Sequence, residues 1–250
     1  MVKALRAYLP VLMAAVAGGY SLNLHAADVT LYAERYPPYV FHGSDKARPG
    51  LDVELVVQAF ERSGVDADVQ MRPWNRIMRN VKSGDDAGAL TCTDSPKRRD
   101  FVLLSAPTSQ QTVGVVGKAE ESLGGVQVIN DLRQFSTVAV RGYATSQQLI
   151  DRDIPHFQAA DMTQALNLVA RRDKQLFYIG WEAAAQVAID IGVRDSIRFY
   201  PLSDAPTKNF HICFSRQWPG VELLKQQFDS GLRELQQDGS VDQLRQKYGL

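Results

Sequence analysis

The sequence predicts an α/β protein of two lobes, on three observations. From Val29 to Cys92 strand-like and helix-like stretches alternate, the pattern of a parallel sheet covered by helices. Between residues 101 and 116 the alternation lapses into two strand-like stretches with no helix between them. It then resumes at Val138 and closes on a strand at 211–214 followed by two helices. A chain that leaves one α/β unit, builds a second and returns has two linkers and a cleft between its units.

Each element has a local reason. Residues 29–32 alternate in polarity and read as a strand, followed by the turn Tyr36-Pro37-Pro38-Tyr39. Pro49-Gly50 opens a helix in which Leu51, Leu55 and Ala59 recur at helical spacing, and Ser63-Gly64 ends it. Residues 69–71 are a second strand. Pro73 begins a helix with Trp74, Ile77, Met78 and Val81 on one face, Gly84 stops it, and 88–92 form a third strand. In the second unit, strands are expected at 138–140, 176–179 and 197–200, with helices at 142–150, around Met162 to Val169, and at 182–191. Ala205-Pro206-Thr207 breaks the pattern before the strand 211–214 and the helices 221–235 and 241–248.

Composition narrows the function. The 250 residues carry 28 Lys+Arg and 28 Asp+Glu, and this balance gives no support for nucleic-acid binding. Lys3 and Arg6 precede an apolar run to Tyr20, then a polar stretch ending in Ala26-Ala27. This is the pattern of a cleaved export signal, residues 1–26, and the run is too short to span a bilayer. In the oxidising compartment beyond, Cys92 and Cys213 are either a disulfide or two buried small side chains.

Several segments resemble the solute-binding proteins of polar amino-acid ABC transporters, family 3, which have the type II periplasmic-binding fold. They are Tyr36-Pro37-Pro38-Tyr39, Gly50-Leu51-Asp52-Val53-Glu54-Leu55, Thr91-Cys92-Thr93-Asp94-Ser95-Pro96-Lys97-Arg98, Ser105-Ala106-Pro107, and the ending Asp238-Gly239-Ser240 with Lys247-Tyr248-Gly249. Ser95 and Lys97 stand where the family usually has Thr and Glu. The resemblance implies a first lobe of residues 27–108 plus 211–250 and a second of 109–210, each a mostly parallel sheet flanked by helices. It makes the strands of Cys92 and Cys213 neighbours in the first lobe, so that a disulfide between them is within reach. It also implies a periplasmic monomer with no cofactor, and an inner-membrane permease as partner.

The same resemblance suggests the ligand-binding residues. Arg98 stands where the family clamps a ligand carboxylate, a task suited to a planar, always-charged guanidinium. Thr91 and Thr93 share one side of their strand and stand where small hydroxyl residues meet the ligand. Tyr36, Tyr39 and Trp74 are candidate aromatic walls. Gly142-Tyr143-Ala144-Thr145 lies between a strand and a helix, where free N–H groups attract anions. Where the family usually has an Asp for the ligand's ammonium group, Trp181 stands, with Glu182 beside it. Either Glu182 or Glu34 then takes that part, or the ligand is not a simple α-amino acid.

The sequence holds no Gly-x-Ser-x-Gly, His-Glu-x-x-His or phosphate-loop motif, and His42, His156 and His211 are scattered. The expectation is therefore a binding protein and not an enzyme. Two alternatives stand beside it: a cyclohexadienyl- or arogenate-type dehydratase using Glu34 or Glu182 as general acid, and a stand-alone sensory module.

Overall fold

A computed structural model describes residues 28–41, 48–205 and 207–250. The expected export signal, His42 and Pro206 lie outside the described residues. The chain runs β1 (Val29–Ala33), α1 (Leu51–Arg62), β2 (Ala67–Met71), α2 (Trp74–Ser83), β3 (Gly88–Thr93), α3 (Pro96–Arg99), β4 (Val102–Leu104) and β5 (Ser109–Gln111). It continues through β6 (Val113–Lys118), β7 (Thr137–Val140), α4 (Ala144–Asp151), β8 (His156–Ala159), α5 (Met162–Arg171), β9 (Leu176–Gly180), α6 (Trp181–Asp190) and β10 (Ile197–Pro201). It closes with β11 (Lys208–Ser215), α7 (Val221–Gln237) and α8 (Ser240–Tyr248).

Two sheets result. The first has the order β2-β1-β3-β11-β4, with β5 also paired to β11; the second has β10-β6-β9-β7-β8. Pairing is parallel where strands alternate with helices and antiparallel where the chain crosses between sheets. The crossings fall at Thr112, between β5 and β6, and at the stretch between β10 and β11. Residues 109–111 and 208–210 pair with one another in the first sheet, although the expected bounds had put both stretches in the second lobe.

The apolar stripe of α1 explains its placement. Leu51, Leu55, Val56, Ala59 and Phe60 are all buried, and the Phe60 ring lies 5.3 Å from that of Phe228 on α7. Each of these except the smaller Ala59 contributes roughly 1.5–3 kcal/mol on burial. In the second lobe α6 buries Ala183, Ala184, Val187 and Ala188, and α5 buries Met162, Ala165, Leu166 and Val169.

Three short elements carry no periodic signal. Strand β8 is an edge strand with only Ala159 buried, so it has no apolar face to read. Helix α3 buries none of its four residues, and β5 is Ser-Gln-Gln. Cys92 and Cys213 are disulfide-bonded, with Cα atoms 5.7 Å apart and both residues fully buried.

An interlobe cavity as the candidate functional site

The ends of β1, β3 and β9, the starts of α2 and α4, and the crossing strands β5 and β11 converge on one cavity. Its walls are Glu34, Tyr36, Trp74, Thr91, Thr93, Arg98, Gln111, Tyr143, Ala144, Thr145, Ile179 and Phe210. The room inside for the centre of a water-sized sphere is about 50 Å³, the space of a few waters.

Arg98 is brought to the wall by α3, which turns the chain immediately after β3. Its Nη1 donates to the Thr93 carbonyl at 3.0 Å and to the Thr93 hydroxyl at 3.2 Å, and its guanidinium lies 5.2 Å from the Trp74 ring centre. Among the described residues no carboxylate pairs with it. Burial pushes its pKa down to about 10. Its neighbours on α3 are satisfied elsewhere, Lys97 by Asp151 and Arg99 by Asp94.

Strand β3 is irregular at this point. Its pairing with β11 slips between His211 and Cys213, a bulge that leaves Thr91 at φ 49°. A β-branched residue in that region costs on the order of 1–3 kcal/mol, and bulges beside binding sites re-aim side chains. Here Thr91 and Thr93 both reach the cavity. The Cys92–Cys213 bond joins the two strands between them.

The second lobe supplies the start of α4. Gly142 has φ 81°, and a Cβ there would lie 2.2 Å from Asn75 Oδ1 of the first lobe, so only glycine allows this approach. Ala144 and Thr145 then open the helix against the cavity, with the positive end of its dipole facing inward. The Thr145 hydroxyl is buried with no hydrogen-bond partner among the described residues, a costly state unless a ligand meets it.

Glu34 and Tyr143 join the two walls. Glu34 accepts from the Trp74 backbone N–H at 3.2 Å and from the Tyr143 hydroxyl at 2.9 Å. Burial raises its pKa above the ordinary carboxylate value, outweighing both bonds. Burial, and then the Glu34 charge, raise the Tyr143 hydroxyl well above its usual range. On the floor, the Tyr36 hydroxyl donates to Gln111 Oε1 at 2.7 Å.

Nine expected residues meet here: Glu34, Tyr36, Trp74, Thr91, Thr93, Arg98, Tyr143, Ala144 and Thr145. Three do not. Tyr39 is fully buried behind Tyr36, packed against Phe210 and donating to the Gln110 carbonyl. Gly142 lines an adjoining groove with Asn75 and Gln147. Glu182 turns to the crossing strand, where both its oxygens accept from the Thr112 N–H at 3.0 Å. Trp181 stacks on Phe199, ring centres 5.1 Å apart, beneath Arg194.

Sequence reasoning missed Gln111, Ile179 and Phe210. Ile179 looks like any core strand residue, and Gln111 lies in a polar stretch of three residues without periodicity. His156 bonds Ser146 and the Ile154 carbonyl, and His211 bonds the Ser105 carbonyl, which makes both structural.

The fold has many solved relatives. A histidine kinase sensor domain with similarity to periplasmic binding proteins superposes at a TM-score of 0.78, with 19% identity over 88% of this chain and 95% of that one. The arginine-, lysine-, histidine-binding protein ArtJ from Geobacillus stearothermophilus gives 0.75, with 14% identity over 88% and 94%. The ancestral amino acid-binding protein AncCDT-1, a precursor of cyclohexadienyl dehydratase, gives 0.70, with 16% identity over 88% and 94%. At such identities the likeness is one of fold. No curated protein sequence matches. The family model that does match covers residues 29–250, so the chain belongs to the bacterial extracellular solute-binding proteins, family 3.

Proposed function

We propose that this protein is a periplasmic solute-binding protein that captures a small, carboxylate-bearing, amino-acid-like ligand between its lobes and delivers it to an ABC permease. The observation that carries this reading is Arg98, a half-buried guanidinium lining the cavity with no carboxylate partner among the described residues. An anionic ligand supplies that partner. Thr145 and the start of α4 approach the same space from the second lobe, so a carboxylate held by Arg98 gains its remaining donors when the lobes close.

Glu34 is the acid available to a cationic group of the ligand, since Glu182 is turned away. Its raised pKa also supports a second reading, a general acid acting on a cyclic carboxylate held at Arg98.

A thermal-shift screen against amino acids, organic acids, polyamines and cyclohexadienyl acids, with product analysis, separates the readings. Binding without turnover supports capture; consumption of a cyclic acid supports the enzyme. Arg98→Ala is expected to weaken the best ligand at least about 30-fold, because a desolvated ion pair would lose one member. A folded Arg98→Ala protein with unchanged affinity removes Arg98 from the site.

A further inference from the structure

Two helices of the second lobe end in the same way. Helix α4 closes on Gln147-Gln148-Leu149-Ile150-Asp151, and α6 on Gln186-Val187-Ala188-Ile189-Asp190. In each, the glutamine Nε2 donates to the aspartate four residues on, Gln147 to Asp151 at 2.7 Å and Gln186 to Asp190 at 3.0 Å. A carboxylate in the last turn opposes the helix dipole, and neither last turn contains a basic residue to compensate it.

The ion-pair partners come from the other lobe, although Arg152 at the C-cap of α4 also offsets part of the Asp151 charge. Asp151 pairs with Lys97 of α3 at 3.0 Å, and Asp190 pairs with Arg35, which follows β1. Both bonds cross the cleft. Neither aspartate lines the cavity, and neither do Lys97 and Arg35. Opening the lobes would break both pairs, leaving Asp151 with only the charge of the adjoining Arg152 and Asp190 with no ion-pair partner among the described residues.

We propose that Asp151 and Asp190, held ready by Gln147 and Gln186, are closure latches: positioning residues that set the open–closed balance of the protein through Lys97 and Arg35 without touching ligand. This rests on the hinge-closure reading above. All four side chains are a third or more exposed, so each pair moves the balance only about two- to fivefold. Apparent affinity for any ligand of the closed form falls by the factor by which the closed fraction falls. Salt screens such pairs, so closure is favoured at low ionic strength.

The test is an interlobe distance by single-molecule fluorescence transfer, with dyes on Gln70→Cys in the first lobe and Asp173→Cys in the second. The protein is measured at about 20 mM and about 1 M NaCl, where the screening length falls several-fold. The expected result is a closed population that shrinks with salt. An Asp151→Asn/Asp190→Asn protein should be more open at low salt and lose the salt response. The exchange Arg35→Asp/Asp190→Arg, with Asp151 unchanged, should keep both the closed population and the salt response. If the double variant keeps the original distance and salt response while a millimolar amino-acid mixture still closes the unsubstituted protein, the latches are refuted and hinge closure stands. If no salt, variant or amino acid changes the distance, hinge closure and latches fall together.

Discussion

Helices α4 and α6 both leave the end of a strand in the second sheet, yet only α4 turns its first residues into the cavity. The difference lies in what the first lobe places opposite each helix start. Across from α4 stand Asn75 and Glu34, which meet Gly142 and Tyr143, while Thr145 beside them lines the cavity. Across from α6 stand Gln111 and Tyr36, which fill the corner at its start. A Cβ on Gly180 would lie 1.9 Å from Gln111 Oε1 and 2.9 Å from the Tyr36 hydroxyl. With that corner occupied, Glu182 is spent on the crossing strand and Trp181 on Phe199. Two starts of similar construction thus differ: one lines the cavity, the other is bonded to the crossing strand.

The start of α4 is where a single substitution should matter most to ligand binding. Thr145→Val removes an orphaned hydroxyl at nearly constant volume. Affinity for a carboxylate ligand is expected to fall about tenfold, the worth of a hydrogen bond to a charged group, while the melting temperature of the empty protein holds or rises. Calorimetric titration and a thermal melt read the two arms. Unchanged affinity would take the α4 start out of the site.

Next comes the pair of glutamates. The raised pKa of Glu34 means that ionising it opposes folding: this contribution favours the folded state fully below the ordinary carboxylate range and is lost as pH rises through the raised value. Affinity for a ligand with a cationic group runs the other way, weakening as pH falls through that value and Glu34 takes up its proton. Glu34→Gln is expected to abolish this pH dependence in titrations between roughly pH 4 and 8. Persistence of the profile in Glu34→Gln would assign it to another group.

Glu182→Gln should do less to the ligand and more to the fold. It removes one of the two acceptors and the charge at the Thr112 N–H, with an expected stability loss of about 1 kcal/mol by chemical denaturation and no loss of the pH profile. The smallest change is expected from Gly180→Ala, where the flexible Gln111 side chain must withdraw and give up its bond to Tyr36. A large loss of affinity there would mean that the Gln111–Tyr36 pair itself touches ligand.

The alternation of strands and helices, the lapse at the crossing and the return at β11 were all legible, because long elements bury periodic apolar faces. The Arg98 and Thr93 wall was legible through local motif order. The roles of Glu34 and Glu182 were not, since both are acids just beyond a strand end and only the opposite lobe decides which faces the cavity. Nor was the Thr91 bulge, which depends on the register between β3 and β11, strands separated by more than a hundred residues in sequence. Gln111 escaped because a three-residue polar strand has no period to detect.

The most direct test of the account is a calorimetric titration with the best ligand from the screen, as the free acid and as its methyl ester, against the unsubstituted protein and Arg98→Ala. The account predicts tight binding of the acid to the unsubstituted protein only, with the ester weak on both proteins. An ester that binds as tightly as the acid, or an acid indifferent to the loss of Arg98, would contradict the claim that this cleft is built around a carboxylate.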